Sequence, residues 1–520
     1  MHDTLDIRIP YNKIENSEFI EKCIRDKKKL GAELHFRIVK KSIDARKNTP
    51  YFQLRIEISE QPFEEIRREE VIKTIPILSG ADPKEVIIIG AGPAGYFAAI
   101  ECLRLGLKPI VLERGKNVRD RRRDLRSIQQ QGQVNPHSNY CFGEGGAGTY
   151  SDGKLYTRSY KRGKIEDVLR LLVAHGAKDD ILVDAHPHIG SNKLPGIVSN
   201  IRNTIEEKGG RVEFDTFVTG INMHKNKIES VVSDDGRIFK AQAFILATGH
   251  SARDIYYLLD QNKISLERKP FALGVRVEHP QALIDEIQYN QNPRSQLLPA
   301  SSYKLVCQLE EQSVFSFCMC PGGLIVPAAT SSGELVVNGM SLSKRDSPFA
   351  NSGIVISISN EDVDKLGYKG VFANLEFQQK VERDIFNAGN GSQAAPAQRL
   401  VDFVEGTSSL KLNDSSYIPG LYTADLHKLL PTFVSRNLRE GLKVFGQKLN
   451  GYYTNEANVV GVESRTSAPI RIPRSPITLM HPQVEKLFPC GEGAGYAGGI
   501  LSAAMDGQNV ARSVANYLQP

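Results

Sequence analysis

Three glycines, Gly90, Gly92 and Gly95, follow the apolar run Val86–Ile89, and an acid, Glu113, stands about 20 residues beyond them. This spacing suits holding a pyrophosphate on backbone N–H groups while a carboxylate accepts hydrogen bonds from a ribose 2′-OH. Gly90 permits a tight turn, Gly92 lets the backbone approach the phosphates, and Gly95 lets the next helix pack closely on the strand. The free N–H groups and partial positive charge of that helix start complete an anion site. The pattern implies a bound dinucleotide. Lys154, His250, Arg465 and Arg471 are further residues that could handle protons or anions, and Cys318-Met-Cys320 is either a redox or metal pair or part of a buried apolar strand. Behind Glu113 come Arg119, Arg121, Arg122, Arg123 and Arg126, which read equally as contacts to cofactor phosphates or adenine and as a solvated face.

These residues need elements to position them. Val86–Ile89 reads as a strand buried on both faces, Tyr96 to about Leu105 as a helix with Gly106 at its C-cap, and Pro109 to Leu112 as the next strand. Similar signals return twice. Arg211 to Ile221 and Lys227 to Ser233 read as strands, Asp234-Asp-Gly236 as a tight turn, and Ala243 to Leu246 as an apolar strand running into Ala247-Thr248-Gly249. Leu487 to Gly493 is a short strand entering glycines, and after Gly498-Gly499 a helix runs from about Ile500 to Leu518. Between Phe271 and about Thr466 lie β-rich runs at Ala272–Glu278, Val314–Met319 and Gly353–Ser359. Residues 1 to about 80 combine a helical stretch, Glu21 to Leu30, with alternating strands at Leu34–Val39 and Tyr51–Ile58, and Ser79 to Lys84 is a linker. The expected organisation is therefore α/β. An N-terminal α+β module spans 1–80, a Rossmann-like nucleotide domain 81–270 and 467–520, and an inserted mixed α+β substrate domain 271–466.

Composition narrows the class. A chain of 520 residues with 40% hydrophobic and 24% charged residues is globular and long enough for two or three domains. No run is long and apolar enough to span a bilayer and the first residues do not read as a signal peptide, so a cytoplasmic protein is expected. Seven scattered cysteines without a C-x-x-C exclude a secreted disulfide scaffold and the usual dithiol relay. A net charge of +6 does not call for nucleic acid; Lys27-Lys-Lys29, Lys40-Lys41 and Arg46-Lys47 read as a solvated face of the N-terminal region. The histidines form no metal-ligand pattern.

The glycine motif with Glu113-Arg114, the Ala247-Thr248-Gly249 strand end and the C-terminal Gly491-Glu492 together resemble the FAD-binding domain of glutathione-reductase-type flavoproteins. More narrowly, Phe142 to Lys154, Gly274 to Pro280 and Cys320-Pro-Gly-Gly323 resemble the large bacterial family of uncharacterised FAD-dependent dehydrogenases, which has no agreed substrate. The resemblance implies FAD as cofactor. It gives Gly90, Gly92, Pro93, Ala94 and Gly95 to the pyrophosphate, Glu113 to the adenosine ribose, and Arg114 and the backbone of Val218 to the adenine. Ala247, Thr248 and Gly249 would pass near the pyrophosphate, Glu492 would approach the ribityl chain or a bridging water with Gly491 beside it at the cofactor, and Gly146, Gly148 and Thr149, in the loop Gly145 to Lys154, would lie beside the isoalloxazine. Many members of the wider group carry Asp where this chain has Glu492. Gly499 and Ile500 would open a helix aimed at the negative charge of a reduced flavin.

Flavin chemistry moves hydride at N5, and a side chain then manages a proton. His250 is either that proton carrier or a structural histidine at a strand end. Lys154 with Asp152 is either a proton relay or an ion pair, and Arg465 and Arg471 either clamp a carboxylate substrate or lie on the surface. A second glycine fingerprint in its own βαβ unit is missing, so NAD(P)H is expected only as a transient donor in the substrate cleft. The leading expectation is an FAD-dependent oxidoreductase transferring hydride to or from a small organic molecule. The alternatives are a flavoprotein acting on tRNA and a non-catalytic FAD-binding scaffold or sensor.

Overall fold

The computed structural model describes residues 3–27, 35–46, 49–63, 67–79, 82–156 and 163–519. Lys28, Lys29, Lys47, Gly80 and the end of the expected 21–30 helix lie outside the described residues.

The run Val86–Ile89 lies in a five-stranded sheet because its branched side chains are buried on both faces. The strands stand in the order Leu487–Pro489, Ala243–Leu246, Glu85–Ile89, Lys108–Leu112 and Arg211–Glu213, all parallel. Chain order and sheet order differ, so residues from three distant parts of the sequence meet at the carboxyl ends of adjacent strands. One face is covered by the helices Pro93–Arg104 and Ile500–Leu518. They pack tightly: a Cβ on Gly507 would stand 2.1 Å from the Ala94 carbonyl oxygen. The other face packs against the antiparallel strands Val218–His224, Lys227–Ser233 and Ile238–Lys240, through Ile87, Ile110, Val231 and Phe239.

A second sheet has seven strands in the order Val306–Gln308, Ser313–Cys320, Phe349–Ile358, Phe271–Pro280, Asn458–Glu463, Ala395–Arg399 and Leu421–Thr423. It is antiparallel except at its last pair, and helices Ala373–Asn387 and Thr432–Lys448 pack into its core. Arg253, from the nucleotide-binding side, ties the two sheets by pairing with Glu334 at 3.0 Å and Glu382 at 2.9 Å.

At the N-terminus Asp3–Pro10, Tyr51–Ser59 and His35–Asp44 form an antiparallel sheet covered by the helix Ser17–Lys27. Its small core is completed by Tyr289 and Leu298 from far along the chain. The first of these strands has no counterpart in the sequence reading. Two other expectations shift. The strand expected over 211–221 breaks after Glu213, where Asp215 takes φ 48°, and resumes at Val218. The helix expected to begin at Glu21 begins at Ser17, where the Asn16 side chain accepts the Phe19 N–H. Among the described residues no helix is long and apolar enough to cross a membrane.

Candidate cofactor site

A cleft of about 380 Å³ opens at the carboxyl ends of the strands Glu85–Ile89 and Ala243–Leu246 and reaches the second sheet. Its floor is glycine backbone. Gly90 takes φ 108°, and a Cβ there would stand 2.4 Å from the Ala247 carbonyl oxygen, so the turn tolerates no side chain. Gly92 is the N-cap of helix Pro93–Arg104 and no side chain caps it, which leaves that helix start open to an anion. Gly146 lies opposite; a Cβ on it would come within 3.2 Å of the Gly92 Cα. Two bare backbones and an uncapped helix start make a cradle that fits a pyrophosphate.

Glu113 is buried beside this floor. Its carboxylate accepts the backbone N–H of Ala91 at 2.8 Å, of Gly115 at 3.0 Å and of Gly143 at 2.9 Å. The acid thus holds the first glycine turn, its own strand end and the later glycine loop in one arrangement while still lining the cleft. Arg121 does similar work for that later loop. Fully buried, it donates to the carbonyls of Asn139, Glu144 and Gly146. Neither proposed role of the arginine run covers it, because its guanidinium is consumed by backbone oxygens; Arg119, Arg122, Arg123 and Arg126 are exposed.

One end of the cleft is walled by Arg114, Phe142, Thr216, Phe217 and Val218. The Arg114 guanidinium sits between the rings of Phe142 and Phe217, at 4.4 and 4.0 Å, and bonds Asp254 at 2.8 Å. It is a fixed planar wall rather than a mobile charge.

The other end gathers polar groups from both sheets: Lys154, His250, Cys318, Glu492 and the start of helix Ile500–Leu518. Burial opposes the Lys154 charge, but the Asp152 carboxylate 3.0 Å away outweighs it and holds the ammonium above the ordinary lysine range. Asp152 also accepts from Arg345 at 2.8 Å, so this pair is anchored. Burial, aided by Arg465 and Arg253, pushes His250 down to about 4, leaving a neutral imidazole bonded to the Ser251 hydroxyl at 2.9 Å. Burial pushes Glu492 up to about 7, against the pull of Lys269. No side chain caps the start of helix Ile500–Leu518 at Gly499.

Among the residues expected at the site, Gly90, Gly92, Pro93, Ala94, Glu113, Arg114, Gly146, Gly148, Lys154, Val218, Ala247, Thr248, Gly249, His250, Glu492, Gly499 and Ile500 line this one cleft. Three do not line it. Gly95 faces the Gly90 carbonyl in helix–strand packing, the buried Thr149 hydroxyl donates to the Glu144 carbonyl, and the Gly491 N–H bonds Asp506. Gly146 lies against Gly92, and the Arg121 guanidinium holds its carbonyl at 2.9 Å. Arg465 is neither a surface group nor free for a substrate. It is buried against Glu382 at 2.9 Å and Glu334 at 2.7 Å, while Arg471 lies outside the cleft, 3.9 Å from Glu267. The sequence reading did not assign Phe142, Phe217, Phe317, Asn338, Gly339 or Thr466 to the cleft. Phe142 and Phe217 stand beside Arg114 within the nucleotide-binding half, next to the expected glycine loop and Val218, whereas the other four are brought in by the second sheet and its flanks. Cys318 did carry a signal, in its spacing from Cys320.

Fold and cleft together define an α/β dinucleotide-binding protein. The chain belongs to the same family as an uncharacterized protein of Clostridium beijerinckii, to which it is 41% identical over 498 residues, covering 92% of this chain and 91% of that one. Residues 270–466 match the family described as FAD-dependent protein, C-terminal domain-like, residues 85–121 match the FAD binding domain family, and residues 1–59 match a domain of unknown function. The cofactor is FAD. Solved structures similar to it include a tetracycline destructase (14% identity, 84% of this chain and 82% of that chain, TM-score 0.34). Another is a geranylgeranyl bacteriochlorophyll reductase-like protein from Thermoplasma acidophilum (12% identity, 85% and 80%, TM-score 0.35).

Proposed function

We propose that this protein is an FAD-dependent oxidoreductase that exchanges hydride with a small organic molecule, and that NAD(P)H serves it as a transient donor in the same cleft. The observation that carries the reading is the meeting, at one end of the cleft, of an uncapped helix start, a paired ammonium and a carboxyl group poised at neutral pH. When bound there, FAD supplies a hydride acceptor and donor at N5. The start of helix Ile500–Leu518 and the Lys154 ammonium favour negative charge in this end of the cleft. Glu492, holding its proton up to about pH 7, can give or take one at its carboxyl oxygen. His250, being neutral, can accept or donate a hydrogen bond to a bound molecule without adding charge. Phe317 and Ile500 supply apolar surface beside these groups. We assign the fold to the glutathione-reductase type with residues 271–466 as an insertion, and the protein to the cytoplasm.

The test is anaerobic mixing of the yellow holoprotein with NADH and with NADPH in a stopped-flow spectrometer. Loss of the oxidised flavin bands with either, and their return on adding an organic acceptor, is expected. A flavin that no nicotinamide bleaches and no organic substrate oxidises or reduces would overturn the reading. Gly92→Val, whose side chain would close the cradle, should be purified colourless.

A further inference from the structure

Ser313–Cys320 pairs in register with Phe349–Ile358 from Val314 to Phe317, loses register, and rejoins it at Cys320. The break sits at Cys318, whose φ of 48° is a left-handed conformation that non-glycine residues rarely adopt. It sets Cys318 in the cleft wall beside Lys154, Phe317 and Glu492, while Cys320 lies fully buried beneath it. The Cys320 thiol donates to the Cys318 carbonyl oxygen at 3.2 Å, which folds the second sulfur back toward the first cysteine.

Two cations face the pair, Lys154 from the cleft and Arg276 from the interior. Lys154 Nζ donates to the carbonyl of Met319, between the cysteines. Arg276, itself fully buried, donates to the Cys318 carbonyl at 2.8 Å and lies 3.6 Å from Cys320 Sγ. The hydrogen bond from Cys320, then Lys154 and Arg276, hold the Cys318 thiol below the ordinary cysteine range, whereas burial pushes up the thiols of Cys102, Cys307, Cys320 and Cys490. A thiolate lining a cofactor cleft with a protonated thiol behind it is the arrangement of an attacking and a resolving cysteine. Among the described residues no group of three or more His, Cys, Asp and Glu side chains could hold a metal ion, so the pair has no companions of that kind.

We propose that Cys318 and Cys320 form a redox pair that cycles between dithiol and disulfide and exchanges two electrons with the flavin through Cys318. In the oxidising direction the Cys318 thiolate and the Cys320 thiol lose two electrons and the Cys320 proton, and a sulfur–sulfur bond forms. The oxidised flavin takes both electrons and that proton, becoming its anionic reduced form, so atoms and charge balance. The reverse step breaks the sulfur–sulfur bond and restores thiolate and thiol. The proposal rests on FAD occupying the cleft and not on the nature of the organic substrate.

Anaerobic titration of the oxidised, FAD-loaded full-length protein with dithionite tests it. Native protein should take up about four electron equivalents per flavin, and Cys318→Ser and Cys320→Ser, with flavin still bound, about two. In parallel, iodoacetamide labelling followed by mass spectrometry should find the peptide carrying both cysteines unlabelled and two hydrogens lighter in oxidised protein, and doubly labelled after reduction. Uptake of about two equivalents by native protein, with both cysteines labelled in its oxidised form, would overturn the pair. So would a Cys141→Ser variant that alone removed the extra uptake, since Cys141 is the other cysteine in the cleft. Absence of flavin bands would sink the FAD reading instead, and labelling of the apoprotein would still decide whether the disulfide forms.

Discussion

Replacing Gly90 by alanine tests whether the cradle is shaped for a cofactor. At φ 108° an alanine pays about 1–3 kcal/mol of backbone strain. Its Cβ would stand 2.4 Å from the Ala247 oxygen and 3.0 Å from the Ala247 carbon, both backbone atoms that cannot swing aside. The strand end must retreat or the turn must open. The alanine displaces the turn from the closed form that Glu113 holds, and FAD binding must restore that form against the strain. Binding should therefore weaken by the strain alone, about 5–150-fold at 1.4 kcal/mol per factor of ten. Titration of apoprotein with FAD, followed by quenching of flavin fluorescence, measures this directly. Gly106→Ala is the control: it too has positive φ, at 72°, but nothing lies within 4 Å of its added Cβ and it sits at the far end of the helix. It should cost stability, about 1 kcal/mol, and leave FAD affinity unchanged. If Gly90→Ala bound FAD within about threefold of the native protein, the argument from the turn would be wrong.

Two further outcomes follow from buried charge. Glu382→Ala leaves Arg253 and Arg465 sharing Glu334 alone in a buried site, and should destabilise by about 3–5 kcal/mol, read as a shift in the urea midpoint; a loss below about 1 kcal/mol would mean that water reaches the cluster. Glu492 keeps its proton to about pH 7 when folded, against an ordinary value of 4.5, so over that interval the native state binds more protons than the unfolded one. Its contribution to stability therefore falls as pH rises from about 4.5 to about 7. Glu492→Gln should gain on the native protein across this window in thermal unfolding, and should lose an inflection near pH 7 from the rate of flavin reduction. A variant whose pH profiles run parallel to the native ones would remove Glu492 from the proton account.

The nucleotide-binding half was legible because its signals are local. Strand, turn and helix around Gly90–Gly95 are set by branched side chains, glycines and a proline within a dozen or so positions, and the strand Ala243–Leu246 and helix Ile500–Leu518 are equally self-contained. The first strand, Asp3–Pro10, was missed because its weak alternation is stabilised by pairing with Tyr51–Ser59, far along the chain. The break at Asp215 was missed for a similar reason: a single left-handed residue leaves no mark on hydrophobic periodicity. Arg465 was misread because a charged residue looks solvent-facing in sequence, and only the fold brings Glu334 and Glu382 to it. His250 and Lys154 line the cleft, but their protonation could not be read in advance, since it depends on Asp152, Arg465 and Arg253, which the chain places nearby only on folding.

Glycine spacing, a helix start and a strand-terminal acid act over short stretches of backbone, so the glycine turn, the helix start behind it and the kind of cofactor were already set in the sequence. The tertiary structure alone decided the polar end of the cleft, where Lys154, His250, Cys318 and Glu492 meet. There the break at Cys318 turns one strand residue toward Lys154 and Glu492, and the arginine–glutamate cluster locks the second sheet onto the first. Charge and acidity at such a place are sums over neighbours from separate segments, and only the folded chain assembles them.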